Sequence, residues 1–315
     1  MKILMVGRGV IATIYGWVLE KAGSKVEFFV RPGRAAQYGP SVNLEILDGR
    51  VNSKGTLIKQ NWPITMIEDL TADHDYDLII VSVNHNQLSD VITYLSSRIG
   101  KATVLIFNNI WVEPQTAVSA LPNDQIVWGF PGGGGGFNAG TLKGGFMKLV
   151  FLGSIGGSNR TARYQAVREL FREAGLSVSE PKDFRGWLWL HFVLDAGLAA
   201  QALKVGGYSK LFSSTVQLKE AVLLIREMIP LLKAKGDKPD PGIILLLHLP
   251  ASLLGFVVQK FLSREILGRF LMDQLELSGH ASYELTSLYP RDVLADARRL
   301  GLLLPRLAVL EPVFK

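Results

Sequence analysis

A chain of 315 residues, of which 48% are hydrophobic, is long enough to bury a large core and favours two domains over one. It has no cysteine, which excludes disulfides, zinc thiolate sites and thiol catalysis. The net charge of +6 comes from scattered lysines and arginines rather than from a basic run, which favours an anionic cofactor over nucleic acid as the partner.

The N-terminal segment predicts a strand, a glycine-rich turn, a helix and a second strand. Apolar runs cover Lys2–Val6 and residues 26–30, and a helical segment lies between them at residues 13–21. The glycines fall directly after the first run, at the point where the chain would leave a strand and enter a helix. A unit of this kind, about 30 residues long, is typical of dinucleotide binding.

The glycine turn has the residue types that phosphate binding needs. Gly7 permits a tight turn, Gly9 lets a pyrophosphate approach the backbone, and Ala12 replaces the third glycine that lets the helix pack closely on the sheet. The N–H groups and the positive end of the helix favour an anion. We therefore predict a cofactor-binding turn formed by Gly7, Arg8, Gly9, Val10, Ile11 and Ala12.

The end of the second strand indicates which cofactor is bound. An NAD site usually carries an acid there, whereas this chain has Phe28, Phe29 and Val30 followed by Arg31 and, after Pro32 and Gly33, Arg34. A guanidinium group suits a 2′-phosphate through charge-assisted, bidentate hydrogen bonds. Arg31 and Arg34 therefore favour NADP over NAD.

Alternating strands and helices continue to about residue 180. Apolar runs predict strands at residues 42–49, 76–83, 102–107, 125–130, 147–152 and 176–178, with helices at 86–98 and 163–174. The glycine run at 132–136 is predicted to be a loop, and residues 42–49 a small excursion from the main sheet. This order predicts an α/β fold with a mostly parallel, doubly wound Rossmann-type sheet.

The second half of the chain has helical periodicity and few strand signals. We predict a boundary near residues 180–183, which gives an NADP-binding Rossmann domain at 1–180 and an all-α substrate and dimerisation domain at 181–315. Residues 242–258 are nearly uncharged but are shorter than the about 20 residues of a membrane span, and Pro250 interrupts them. We expect two short helices in a core or at a dimer face, no membrane span, and, because the N-terminal apolar run is too short for a signal peptide, a cytoplasmic protein.

Polar residues at predicted strand ends and one histidine are the candidates for chemistry. Asn84 and Asn108 follow buried strands, at the edge of the sheet where ligands bind in this class of fold. His191 and Asp195 are four residues apart, on one face of a predicted helix. A carboxylate one turn away can orient an imidazole for general acid catalysis, although a buried structural pair is an equal alternative. No metal site is predicted.

The chain resembles the ketopantoate reductase (2-dehydropantoate 2-reductase) family along nearly its whole length. The resemblance rests on the glycine motif with Arg31, the strand ending at Asn108, the Leu188-Trp189 helix, and the C-terminal run from Glu284 through residues 292–301 to Pro305. It implies a Rossmann domain joined to a helical domain, with NADPH reducing ketopantoate to pantoate in the cleft between them, a step of pantothenate biosynthesis.

The resemblance also implies roles for individual residues. Asn108 matches the asparagine near the nicotinamide and the substrate, and Glu284 matches an acidic residue that faces the active site. The departures are specific: the catalytic lysine of the family falls on His191, the substrate-binding asparagine on Asp195, and a lysine on Asn84. The family's substrate-binding serine has no counterpart in residues 270–279.

Two functions follow from these residues. The first is an NADPH-dependent reductase that acts on a ketone, either a 2-keto acid such as ketopantoate or a less polar carbonyl or imine. In it His191 is the acid, Asp195 orients it, and Asn108 and Glu284 complete the site. The second, motivated by the lost lysine, is a non-catalytic NADP(H)-binding redox sensor. The apolar C-terminal half favours a homodimer in either case.

Overall fold

The computed structural model describes residues 1–156, 161–264 and 283–315, and the side chains within 262–264 are not considered. Residues 270–279, searched for a substrate-binding serine, lie outside this part of the chain. The described chain divides into two compact units, Met1–Phe184 and Arg185–Lys315. The assignment of NADP binding to the first and of substrate binding and dimerisation to the second stays a prediction.

Unit 1 contains two sheets. Its strands are β1 (Lys2–Val6), β2 (Lys25–Phe29), β3 (Ser41–Gly49), β4 (Thr56–Pro63), β5 (Thr65–Ile67), β6 (Leu78–Val81), β7 (Thr103–Phe107), β8 (Ile126–Phe130), β9 (Gly133–Asn138), β10 (Thr141–Met147), β11 (Leu149–Gly153) and β12 (Ser177–Ser179). The main sheet has the order β12-β11-β8-β7-β6-β1-β2-β5, and the second has the order β4-β3-β10-β9.

The main sheet is parallel apart from the antiparallel pair β8–β11. Its central strands β1, β6 and β7 are buried almost throughout, which is why each is a continuous apolar run rather than an alternating one. The chain runs outward from β1 in both directions, first to β2 and later to β6 and β7. The predicted doubly wound α/β fold is confirmed.

The helices of unit 1 are α1 (Val10–Lys21), α2 (Arg34–Tyr38), α3 (Leu88–Leu95), α4 (Pro114–Ala117) and α5 (Ala162–Glu173). Close packing of α1 depends on small residues. Ala12 is fully buried, and a Cβ added to Gly16 would lie 2.8 Å from Cζ of Phe28. The helix that follows the glycine turn is therefore held tightly on the sheet.

The glycine run at 132–136 is not a loop, so this prediction was wrong. Residues 133–138 form β9, whose glycines face the glycines of β10 in the pairs Gly134↔Gly145 and Gly135↔Gly144. A Cβ on Gly135 would lie 2.3 Å from the carbonyl oxygen of Lys143. The glycines are needed because the two backbones approach closely. Composition alone does not distinguish this requirement from a flexible loop.

The described part of unit 2 is helical, as predicted. It contains most of α6 (Phe184–Val205), which begins at the last residue of unit 1, followed by α7 (Tyr208–Phe212), α8 (Thr215–Ala234), α9 (Pro241–His248), α10 (Ala251–Arg264), α11 (Tyr283–Arg299) and α12 (Pro305–Val309). Helix α10 packs on α8 at Gly255, where an added Cβ would lie 2.9 Å from the carbonyl oxygen of Thr215.

Residues 242–258 form two short helices, as predicted. Helices α9 and α10 meet at an angle of 103° around Pro250. They do not form a buried core pair, because many of their apolar side chains are exposed: Leu245, Leu246, Leu249, Leu253, Phe256, Val257, Val258 and Phe261. This exposed face therefore does not lie in a core, which was one of the two expected environments. The other, a dimer face, stays a prediction.

Within the described ranges, α6 is long and apolar enough to cross a membrane, and the bent pair α9–α10 would be a second such segment if it counted as one span. The most apolar 18-residue window of α6 is 61% buried inside the protein. Core helices of soluble proteins pass the same test, so this evidence for a membrane span is weak.

Candidate active site

The glycine turn between β1 and α1 has an open backbone. Gly7 has a φ of +88°, and its N–H donates to the carbonyl oxygen of Phe29 at 2.9 Å. Gly9 is the N-cap of α1, with an extended backbone at φ −76°. A Cβ added to Gly9 would meet no atom of the described chain within 4 Å. Packing within the chain therefore does not require a glycine there, whereas close approach of a pyrophosphate to the backbone does.

The start of α1 is suited to an anion. The N-cap has no side-chain hydrogen bond, and the first turn has no acidic residue. The N–H groups at the start of a helix have no partner within the helix, and the helix dipole makes this end positive. The backbone N–H groups at Val10 and Ile11 are thus available to an anion, and binding of phosphate oxygens there stays a prediction.

Arg8 lies between two aromatic rings. Its guanidinium carbon is 4.7 Å from the ring centre of Tyr38 and 5.0 Å from that of Phe137. Its Nε is buried without a hydrogen-bond partner in the described chain, and burial lowers the pKa of the guanidinium group. The two rings fix a cation beside the phosphate turn, and the buried Nε still has hydrogen-bonding capacity.

The two predicted 2′-phosphate residues lie in the arginine loop, residues 30–35, which leads from β2 into the first turn of α2. Arg34 N–H donates to the carbonyl oxygen of Arg31 at 3.0 Å, and Gly33 between them has a φ of +79°. Arg31 is exposed, and Nη1 of Arg34 donates to Oε1 of Gln37 at 2.7 Å. The loop also contacts Glu68, which follows β5 and which the sequence analysis missed.

Asn84 and Asn108 lie at the carboxyl ends of β6 and β7 but in different environments. Asn84 is exposed and precedes a short 3₁₀ helix, His85–Gln87. Asn108 is 3% exposed; its Oδ1 accepts from the N–H of Val83 at 3.1 Å, and its Nδ2 donates to the carbonyl oxygen of Val83 at 2.6 Å. The Asn108 amide therefore joins the ends of the two strands and keeps one N–H for another partner.

Replacing Asn108 with alanine should lower the free energy of unfolding by about 1–3 kcal/mol, because both backbone groups of Val83 lose their partner. Denaturant unfolding monitored by circular dichroism would measure this. Asn84→Ala at the exposed position is the matched control and should change the stability by less than about 0.5 kcal/mol. Equal stabilities of the two variants would contradict a structural role for Asn108.

In unit 2, His191 and Asp195 lie on one face of α6. Nε2 of His191 is 3.7 Å from Oδ2 of Asp195, and each side chain is 33% exposed. The indole of Trp187 is stacked on the imidazole, with ring centres 5.3 Å apart and planes at 19°. The pair is therefore accessible, and the ring is held on one side by an aromatic plane.

Two further polar residues near this pair were missed by the sequence analysis. The side chain of Thr286 is hydrogen-bonded to the hydroxyl of Tyr208 at the start of α7, and burial, together with the charge of Asp195, raises the pKa of Tyr208. Glu284 is exposed in the first turn of α11, two residues before Thr286. No local motif marks Tyr208 or Thr286, because only helix packing brings α7 and α11 together.

The predicted residues thus form two groups. The phosphate turn, the arginine loop, Asn84 and Asn108 belong to unit 1, and His191, Asp195 and Glu284 belong to unit 2. Among the described residues no cluster of three or more histidine, aspartate or glutamate side chains could hold a metal ion.

Residues 3–136 match the family model described as ketopantoate reductase PanE/ApbA. This range contains β1, the glycine turn, Arg31 and Asn108. No curated protein sequence matches the chain.

Three solved structures similar to this chain cover nearly its whole length. They are 2-dehydropantoate 2-reductase from Geobacter metallireducens GS-15 (18% identity, TM-score 0.69, covering 100% of this chain and 99% of that one), D-mandelate dehydrogenase in complex with NADH (14%, 0.72, 100% and 97%), and dimeric ketopantoate reductase from Staphylococcus aureus (12%, 0.61, 99% and 98%). At these identities the likeness shows the fold. The resemblance indicated by the sequence motifs is thus supported by the family model over residues 3–136, and the whole chain has the fold of these solved structures.

Proposed function

We propose that this protein is an NADPH-dependent reductase that transfers hydride to the carbonyl carbon of a 2-keto acid, or of a less polar ketone or imine. The glycine turn carries the proposal, because Gly9 leaves the backbone open at the start of an uncapped helix. Arg31 and Arg34 supply the charge that a 2′-phosphate requires, and Arg8 adds a cation fixed beside the turn. The bound cofactor supplies the hydride.

His191 is the proposed general acid. Reduction of a carbonyl places negative charge on its oxygen, and a proton from the imidazolium neutralises that charge while the imidazole becomes neutral. Asp195, whose Oδ2 lies 3.7 Å from Nε2 of His191, is proposed to orient the ring. Trp187 limits the orientations of the ring by stacking on it. Asn108 and Glu284 are proposed to complete the polar wall of the site.

The residues around His191 favour a substrate less polar than ketopantoate. Trp187 is stacked on the imidazole, and the carboxylate of Asp195 repels that of a 2-keto acid, whereas Trp189 and Phe192 of the same helix are buried. One of the similar structures is a D-mandelate dehydrogenase. We therefore test neutral ketones and imines beside ketopantoate and the keto acid of mandelate in one panel of substrates.

Loss of the absorbance of reduced nicotinamide, followed with purified protein, NADPH or NADH and this panel, tests the proposal. Turnover of at least one carbonyl or imine is the expected result. The other candidate, a redox sensor that binds NADP(H) without turnover, is favoured by the histidine at the position of the family's lysine. Tight NADPH binding with no turnover across the whole panel would support the sensor and reject the reductase.

The apolar surface of α9 and α10 supports the further proposal of a homodimer. Phe261 is 62% exposed and Val257 52% exposed, values that suit an interface better than a free surface. Light scattering coupled to gel filtration would give the mass in solution directly. We propose a cytoplasmic location, which fluorescent tagging in cells would test, and a place in pantothenate biosynthesis only if ketopantoate is reduced.

A further inference from the structure

No acidic residue follows β2 directly, but one follows the neighbouring strand β5. β5 pairs with β2 in parallel, with Phe29 opposite Ile67, and the N–H of Val30 donates to the carbonyl oxygen of Ile67 at 2.9 Å. Glu68 is the next residue after Ile67. It therefore lies at the carboxyl end of the sheet, beside the loop that follows β2.

The carboxylate of Glu68 is bound to this loop. Its Oε1 accepts from the N–H of Ala35 at 2.7 Å. The backbone N–H of Ala35, followed by those of Gly33 and Arg34 nearby, holds the pKa of Glu68 below its usual range. Glu68 is therefore ionised at neutral pH, in contact with the loop from which the side chains of Arg31 and Arg34 extend.

The carboxylate of Glu68 makes the surroundings of the cofactor's ribose less positive than the two arginines alone would. A 2′-phosphate in the loop would be attracted by two guanidinium groups and repelled by one carboxylate, and the N–H of Ala35 would already be occupied. A ribose without the phosphate presents hydroxyl groups instead. An ionised carboxylate has about four acceptor positions, so the bond from Ala35 leaves others for a ribose hydroxyl.

We propose that Glu68 is a specificity-determining residue that weakens the preference for NADPH and lets the site bind NADH as well. The proposal rests on the proposed function, since it requires a nicotinamide dinucleotide in unit 1. The sequence alone favours NADP, because two arginines and no acid follow β2. The carboxylate of Glu68 lies beside the same segment and opposes that preference.

Calorimetric titration of the full chain with NADPH and with NADH tests the proposal through the ratio of the two dissociation constants. Glu68→Gln should shift this ratio about tenfold toward NADPH, by removing the negative charge while keeping the shape of the side chain. Arg31→Ala should shift it in the opposite direction. Asp69→Asn is the matched control, since it removes a charge from the adjacent residue, whose Oδ1 accepts from the N–H of Leu70.

The outcomes separate the two proposals. A ratio in Glu68→Gln within twofold of the wild type, or an equal shift in Asp69→Asn, would overturn the role of Glu68 and leave the proposed function intact. Failure of the wild-type chain to bind either dinucleotide would overturn both. Because the readout is a ratio, a variant that loses some stability still reports on specificity, and thermal unfolding of each variant confirms that it is folded.

Discussion

Replacing His191 with alanine should lower kcat by about 10²–10⁴-fold, the range expected when a general acid is removed. The dissociation constant of NADPH should change little, because the proposed cofactor contacts are made by the glycine turn and by Arg31 and Arg34 rather than by His191. Single-turnover kinetics on the best substrate of the panel, together with calorimetric titration of NADPH, would separate the two quantities. The physical reason is that water, which would then supply the proton, is a far weaker acid than an imidazolium.

His248→Ala is the matched control for this experiment. His248 is an exposed histidine at the end of α9, with Nδ1 2.6 Å from the carbonyl oxygen of Ile244, and its loss should leave kcat within about twofold of the wild type. Full turnover in His191→Ala would reject the proton-donor role. His191→Lys restores the residue type of the resembled family, so better reduction of ketopantoate by this variant would show that position 191 selects the substrate.

The elements that could be predicted from the sequence are those whose signal is local. The strand β1, the turn at Gly7 and the helix α1 follow each other without interruption, and each has its own pattern. The buried strands β6 and β7 were predicted because both faces are covered, which makes them continuous apolar runs. The break at Pro250 was predicted from the chemistry of proline alone.

The features that could not be predicted depend on pairing between distant residues. Strand β4 is largely exposed, and β5 has only three residues, so neither has a strong pattern. Glu68 therefore gave no sign that it would lie beside the loop at 31–35, 33 or more positions earlier in the chain. For the same reason the bonds between the Asn108 amide and Val83 could not be predicted, while the ligand-binding role predicted for Asn108 stays a prediction.

The two glycines of the phosphate turn should respond differently to substitution. Gly9→Val should weaken NADPH binding by about 10- to 100-fold, because added methyl groups in a close contact cost about 1–3 kcal/mol and 1.4 kcal/mol corresponds to a factor of ten. The fold should be nearly unaffected: φ at Gly9 is −76°, and an added Cβ meets no atom of the described chain within 4 Å. The expected loss of stability is that of a poorer N-cap, about 1 kcal/mol.

Gly7→Ala should show the reverse pattern. Its φ of +88° is strained for any residue with a Cβ, at a cost of about 1–2 kcal/mol, whereas its role in binding is only to shape the turn. Calorimetric titration and denaturant unfolding of both variants would measure the two effects separately. If Gly9→Val binds NADPH as tightly as the wild type does, the pyrophosphate does not lie against this backbone. The open backbone at Gly9 would then no longer support the proposed function.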